Sequence, residues 1–167
     1  MKNKLLIAIA VIVLCSCDKI TIEENEIVGT YWYEHSHYVE YIENGKKVSS
    51  DYINSELDGS GAYYWYFGDN GERISYCSID YMPISYYYTG SYSIDLKNKT
   101  LNTDSKTYII RKFTDSELII EYRGSHYSGD PNALFGNRFE RIYPKKGAFD
   151  DYIPYEEVPD EYKNPNN

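Results

Sequence analysis

Short strand-like segments separated by turn residues fill the chain from residue 27 to residue 143. They are rich in tyrosine and β-branched residues, which favour pleated sheet, and no apolar period of 3.6 residues runs through them. The pattern therefore predicts an all-β fold. The predicted strands are 28–34, 38–43, 46–53, 62–68, 72–79, 86–96, 100–103, 106–113, 117–123 and 134–143.

Two Asn-Gly pairs, Asn44-Gly45 and Asn70-Gly71, each stand between two predicted strands. Both residue types tolerate the positive φ that tight hairpin turns require, so each pair predicts a hairpin. Short strands at such regular spacing predict an antiparallel up-and-down β-barrel of about eight strands, with a β-sandwich as the alternative.

The first residues have the pattern of a secretory signal. Lys2 and Lys4 precede an apolar run at 5–15. A membrane-spanning helix needs about 20 apolar residues, so this run is too short to span a bilayer. A basic start followed by a short apolar run instead predicts a signal peptide over residues 1–16.

The string Leu14-Cys15-Ser16-Cys17 resembles the bacterial lipobox, in which the final cysteine is acylated and becomes the new N-terminus. The resemblance implies lipid attachment at Cys17 and a place in the bacterial cell envelope, as an outer-membrane lipoprotein. Each buried acyl methylene contributes about 0.8 kcal/mol, so three chains would give a firm anchor. Residues 17–26 are then a polar tether. The alternative is an ordinary cleaved signal with a coincidental cysteine.

The folded domain is predicted to cover residues 27–146, followed by an acidic tail at 147–167. From residue 148 the tail holds six acids, one lysine and three prolines, a composition that predicts disorder. The segments 54–61 and 124–132 are expected to be long exposed loops, where binding determinants often lie.

Charge excludes one class of partner. The formal net charge of −9 becomes −11 once the two signal-peptide lysines are removed. Such a surface repels phosphate backbones, so we predict no nucleic-acid binding. The 21 tyrosines suit a half-buried pleated surface, with the ring packed and the hydroxyl wet.

Few residue patterns suggest catalysis or metal binding. His35 and His37 stand two residues apart and could share a strand face, with Glu34, Glu40 or His126 completing a zinc site; the alternative is that they are ordinary polar residues. No nucleophile elbow, phosphate loop or dinucleotide fingerprint occurs. We therefore predict no enzyme activity, no metal site and no cofactor.

Cys77 remains as the one thiol of the mature chain if Cys17 is acylated and Cys15 is cleaved off, so no internal disulfide can form. In a strand-like setting it is predicted to be a small buried apolar residue.

Five strings in order resemble small bacterial lipocalin-like lipoproteins. Residues 27–31 are similar to their opening Gly-Thr-Trp, with Tyr31 in place of tryptophan, and 67–71 to their Phe-x-x-x-Gly hairpin. The remaining matches are 89–94, 108–120 and 139–142.

The resemblance implies an up-and-down barrel of about eight strands whose mouth could hold one small apolar ligand. It implies no enzyme activity. It also implies an arginine of the last strand, Arg138 or Arg141, against the first-strand aromatic.

These patterns together predict a membrane-anchored, lipocalin-like lipoprotein that binds a small hydrophobic or amphipathic ligand. The aromatic runs 63–67 and 86–88 must place rings on both faces of a sheet. The alternative is an envelope β-sandwich that binds glycan or a protein partner through a tyrosine-rich face. The predicted ligand-binding residues are Tyr31, Tyr33, Tyr64, Trp65, Tyr66, Tyr88 and Tyr92.

Overall fold

Ten β-strands and two 3₁₀ turns occur in the computed structural model, which describes residues 27–53, 61–79, 82–124 and 132–163. The strands are β1 (Thr30–Glu43), β2 (Lys46–Ile53), β3 (Ala62–Phe67), β4 (Glu72–Ser78), β5 (Tyr86–Asp95), β6 (Thr100–Thr103), β7 (Thr107–Phe113), β8 (Glu117–Gly124), β9 (Ala133–Ile142) and β10 (Ile153–Pro154). The 3₁₀ turns are Tyr155–Glu157 and Asp160–Tyr162. Within these ranges, no helix has the length and apolar character needed to cross a membrane.

Eight of the strands close into an antiparallel barrel. Neighbours follow the order β1-β3-β4-β5-β6-β7-β8-β9, and β9 pairs back onto β1. The predicted antiparallel up-and-down barrel of about eight strands is therefore confirmed, and the alternative β-sandwich is wrong because the sheet closes on itself. Strand β2 pairs with the second half of β1, and β10 pairs in parallel with the start of β5.

The two predicted hairpins form with different turns. Asn44 and Gly45 both have positive φ, 50° and 74°, as a two-residue type I′ turn requires. At the second hairpin Gly71 has a positive φ of 77°, and the Asn70 side chain accepts a hydrogen bond from the backbone N–H of Glu72 at 3.1 Å. Both Asn-Gly pairs thus end a strand through backbone geometry that their sequence favours.

Strand β1 is one continuous strand where two segments were predicted, and a β-bulge lies between Glu34 and Ser36. The extra residue reverses which side chains face inward. Before the bulge Trp32 points into the barrel core. After it Val39 points inward, so its neighbour Tyr38 faces outward.

One end of the barrel is closed by a continuous core. The turns 68–71, 96–99 and 114–116 lie at this end, together with the start of β1. Trp32 is fully buried there. The buried members of this core are Ile27, Trp32, Phe67, Leu101, Tyr108, Ile110, Phe113, Leu118, Ile120 and Phe139.

The inner face of β3, β4 and β5 follows from their register. Trp65 and Phe67 pack against the closed-end core, and cross-strand partners share a face. Their partners on β4 are Ser75 and Arg73. The same alternation makes Cys77 inward-facing, so the inner side chains of β4 are Arg73, Ser75 and Cys77, and their partners on β5 are Gly90, Tyr88 and Tyr86.

The described part of the acidic tail is folded onto the barrel, which corrects the prediction of disorder for 147–163. The Phe149 ring stacks on Tyr76, with 4.2 Å between ring centroids, and on Tyr31 at 5.5 Å. Tyr152 meets Tyr76 edge-on at 5.4 Å. These aromatic contacts offset the entropy lost when an acidic segment becomes ordered. The average composition of the tail does not reveal these few aromatic contacts, because they depend on single residues.

Farther along, the tail reaches the inner surface of the barrel. Ile153 pairs with Tyr86 at the start of β5. Val158 is 2% exposed and packs with Cys77 and Tyr86. Because Cys77 and Tyr86 face inward, the tail reaches from the outer surface to the inner side of β4 and β5 near the open end of the barrel. We call this open end the mouth.

Candidate functional site

The interior differs between its two ends. Toward the mouth, the buried apolar side chains of the described residues form two separate clusters. Val39 and Phe135 belong to the cluster on β1 and β9. Cys77 and Tyr86 belong to the cluster on β4 and β5. Strands β5 and β9 lie opposite each other in the cycle of eight, so the two clusters occupy opposite walls of the mouth half.

Aromatic rings form the floor of this mouth half. Trp65 on β3 and Tyr108 on β7 meet across the interior with 6.0 Å between centroids. Below them, Trp65 contacts Phe139 of the closed-end core at 4.9 Å. Burial raises the pKa of Tyr108 to about 12. Its hydroxyl is therefore a neutral hydrogen-bonding group at physiological pH.

Arg73 brings a positive charge to this floor. Its guanidinium carbon lies 4.7 Å from the centroid of the Trp65 ring, within the range of a cation–π interaction. Its Nη1 donates a hydrogen bond to the Ser75 hydroxyl at 2.5 Å. Because Ser75 is one inward position nearer the mouth, the guanidinium extends toward the open end.

The Arg73 guanidinium is incompletely satisfied. Its Nε is buried and has no hydrogen-bond partner. No carboxylate of the described residues lies within 4.0 Å of it. Burial lowers the pKa of Arg73, while the more distant Tyr108 and Asp104 raise it. The side chain remains a cation.

Glu34 supplies an opposite charge in the same interior. The residue is 8% exposed, and its carboxylate accepts a hydrogen bond from Asn137 Nδ2 at 2.8 Å. His37 Nδ1 lies 3.9 Å from the same carboxylate oxygen. Both Glu34 and Arg73 act electrostatically on Cys77, so one buried anion and one buried cation share the barrel interior.

Cys77 is 6% exposed, which confirms the prediction of a small buried residue. Burial, with Glu34 as the second cause, raises the pKa of its thiol to about 12. The thiolate is the reactive form of cysteine. This side chain is thus suited to packing and not to nucleophilic chemistry.

Three predicted ligand-binding residues face inward. Trp65 lies in the floor, and Tyr92 packs against Phe67 at 4.8 Å between centroids. Tyr88 lies higher, 4.5 Å from Tyr155 of the tail. Burial raises the pKa of Tyr88. The structure therefore brings Trp65 and Tyr88 to the mouth half, with Tyr92 nearer the closed end.

The other four predicted residues lie on the outer surface of the barrel. Tyr31 pairs with Tyr66, and Tyr33 pairs with Tyr64, on adjacent strands. Phe149 covers this outer surface by its stacking on Tyr31 and its edge contact with Tyr64 at 5.4 Å. The ligand role of all seven residues stays a prediction, and the alternation of strands divides them between two faces.

The outer surface of β1, β7, β8 and β9 holds a compact polar cluster. The Tyr38 ring lies over Gly136, and its hydroxyl donates a hydrogen bond to Glu121. Arg111 donates a second hydrogen bond to Glu121. The guanidinium carbon of Arg138 lies 4.5 Å from the Tyr38 ring centroid. This cluster joins four barrel strands on the outside.

In the register of β1 and β9, Arg141 stands opposite Trp32, as the resemblance implies for an arginine of the last strand and a first-strand aromatic. Arg138 stacks on Tyr38, and Arg141 lies 5.5 Å from the ring of Tyr143. The cation–π contact inside the barrel comes from Arg73 on β4. In the sequence Arg73 alternates with Ser75 and Cys77, and this alternation becomes informative only once the pairing with Phe67 identifies the inner face.

The histidine pair is separated by the bulge in β1, so the even alternation that would place His35 and His37 on one face is broken. Among the residues that the structure describes, no group of three or more His, Cys, Asp or Glu could hold a metal ion. His126, Cys17, the signal peptide, the tether and most of both predicted loops lie outside the described ranges.

No protein-family model and no curated protein matches the chain. Among solved structures, it is similar to a complex of bovine odorant binding protein with a selenium-containing odorant, with 12% identity, coverage of 86% of this chain and 92% of that chain, and a TM-score of 0.42. A deswapped triple mutant of bovine odorant binding protein gives 9% identity, 76% and 82% coverage, and a TM-score of 0.39. Neither likeness bears on function, which we argue from this chain's own residues.

Proposed function

We propose that the protein is a membrane-anchored barrel that binds a small hydrophobic or amphipathic ligand in the mouth half of its interior. The observation that carries the proposal is the division of the inner apolar side chains into two opposite clusters above an aromatic floor. A purely structural barrel of this size fills its interior with one core.

The side chains around this space suit binding more than catalysis. Trp65, Tyr88 and Tyr108 offer flat apolar rings with polar edges, and Arg73 offers one buried donor, Nε, that has no hydrogen-bond partner. Ligand pockets typically combine such an apolar lining with a few polar groups that fix orientation. The alternative of a tyrosine-rich docking face is disfavoured because Phe149 already covers the outer tyrosines.

A neutral probe tests ligand binding. We expect N-phenylnaphthylamine to bind the full chain, held in an amphipol, with saturable fluorescence and one site per chain. Ser75→Phe adds a ring to the inner face of β4 and is expected to weaken binding at least about tenfold, since the added volume competes with the probe. Circular dichroism checks that the variant is folded.

The matched control is Ser93→Phe. Ser93 lies on the exposed side of β5, so the same added ring should leave probe affinity within about twofold. Fluorescence that rises linearly without saturation in the native chain, or equal affinity of both phenylalanine variants, would contradict binding inside the barrel.

The proposed membrane anchor rests on the Leu14-Cys15-Ser16-Cys17 string, and with it we propose a location in the bacterial cell envelope. In a bacterial host, mass spectrometry of the mature N-terminus is expected to find acylated Cys17. Cys17→Ala removes the attachment atom, so the chain should leave the detergent-extracted membrane fraction or accumulate unprocessed. Cys77→Ala, the matched control, should stay membrane-bound. An unacylated N-terminus would refute the anchor.

A further inference from the structure

Arg73 is the one inner side chain of β4 that carries charge, and its surroundings leave it short of acceptors. The guanidinium has five N–H donors in a fixed planar fork. One is used by the Ser75 hydroxyl, and the buried Nε has no partner. A buried donor without an acceptor is unfavourable, so a group that accepts a hydrogen bond from Arg73 would be stabilised there.

Asp104 is the acidic residue that acts on Arg73, but its oxygens are engaged elsewhere. Both carboxylate oxygens accept the backbone N–H of Ser91, at 2.9 and 3.0 Å, and Oδ1 also accepts the Ser91 hydroxyl. Asp104 Oδ2 and Arg73 Nη2 lie 2.1 and 3.5 Å from the position that a Cβ at Gly90 would take. Asp104 therefore neutralises part of the charge without an ion pair within 4.0 Å, and Arg73 Nε stays without a partner.

We propose that Arg73 binds the carboxylate of an amphipathic ligand whose apolar part lies between the two walls of the mouth half. This inference rests on the proposed function and names its ligand class: small carboxylic acids with an extended apolar portion. The planar guanidinium matches the two oxygens of a carboxylate. The Trp65 ring holds the guanidinium in place from one side.

A singly charged head group fits better than a phosphate. Glu34 lies in the same interior, and its charge acts on Cys77 and Tyr108 together with that of Arg73. A phosphate group carries about −1.5 to −2 charges at neutral pH. The buried Glu34 carboxylate would repel it more strongly than it repels a carboxylate.

Two probes of similar shape distinguish the contribution of the carboxylate charge to affinity from that of the apolar chain. Dansyl-undecanoic acid and its methyl ester share the same apolar part and differ in the carboxylate. Titrated into the full chain in amphipol, with empty amphipol as the blank, the acid is expected to bind at least about tenfold more tightly than the ester.

Arg73→Gln should remove this preference by weakening acid binding while leaving ester binding nearly unchanged. The matched control, Arg123→Gln, removes a positive charge from the exposed end of β8 and should keep the preference. Equal affinity of the native chain for acid and ester would overturn the role of Arg73 while leaving the proposed function intact. If the native chain binds neither probe, both the role of Arg73 and the proposed function are overturned. These two outcomes are measured on the native chain, so they do not depend on the folding of a variant.

Discussion

Replacing Gly136 with alanine is expected to lower the free energy of unfolding by about 3 kcal/mol. A Cβ atom at Gly136 would lie 1.9 Å from Cζ and 2.2 Å from Cε1 of Tyr38. The ring must leave its place on the outer surface of β9, and its hydrogen bond to Glu121 is then lost. Thermal unfolding followed by circular dichroism should show a Tm lower by roughly 6–12 °C.

Two further variants test the cause of that loss. Gly124 lies on the adjacent strand, and its added Cβ would meet nothing closer than 3.5 Å. Gly124→Ala should therefore change stability by less than about 0.5 kcal/mol. In a Tyr38→Ala background the Gly136→Ala penalty should largely disappear, because the clashing ring is absent. An unchanged penalty there would refute the clash.

Replacing Val158 with aspartate is expected to release the tail from the mouth and expose Cys77. Burying a valine side chain contributes about 1.5–3 kcal/mol, and an unpaired aspartate cannot remain in that apolar cluster. Local opening should therefore become at least about 10–100 times more frequent. The measurement is the rate at which iodoacetamide modifies the peptide that contains Cys77.

Native Cys77 should react slowly, because its burial raises the thiol pKa to about 12 and few thiolates form at neutral pH. Ala148→Asp is the matched control, since it adds the same charge at an exposed position of the tail. It should leave the rate near the native value. Equal rates in the native chain and Val158→Asp would show that the tail does not protect Cys77.

The strands and their hairpin turns could be predicted because each depends on local pattern. Closure through the pairing of β1 with β9 was expected from the strand spacing and the family resemblance. Asn44 and Gly45 adopt the positive φ angles that their residue types favour. The bulge near Glu34 could not be predicted in this way. No residue type in this segment indicates a bulge. The bulge nevertheless determines that Tyr38 faces outward and Val39 faces inward.

The folding of the tail onto the barrel and the inward direction of Arg73 could not be predicted from the sequence, for different physical reasons. Acidic composition favours disorder on average, but the stability of this tail depends on a few anchors such as Phe149 and Val158. Arg73 stands on a strand of mixed polarity, so its inward direction depends on pairing with Phe67. Both outcomes are set by contacts between residues distant in sequence.

The parallel pairing of β10 also bears on how these molecules behave beside one another. Strand β6 pairs with β5 only from Tyr92 to Asp95, so the earlier backbone of β5 would present unused donors and acceptors. Such a border invites a strand from another molecule and hence aggregation. The C-terminal segment pairs with this edge of β5 at Tyr86 and Tyr87. It thereby blocks the edge pairing through which two copies of the chain could associate.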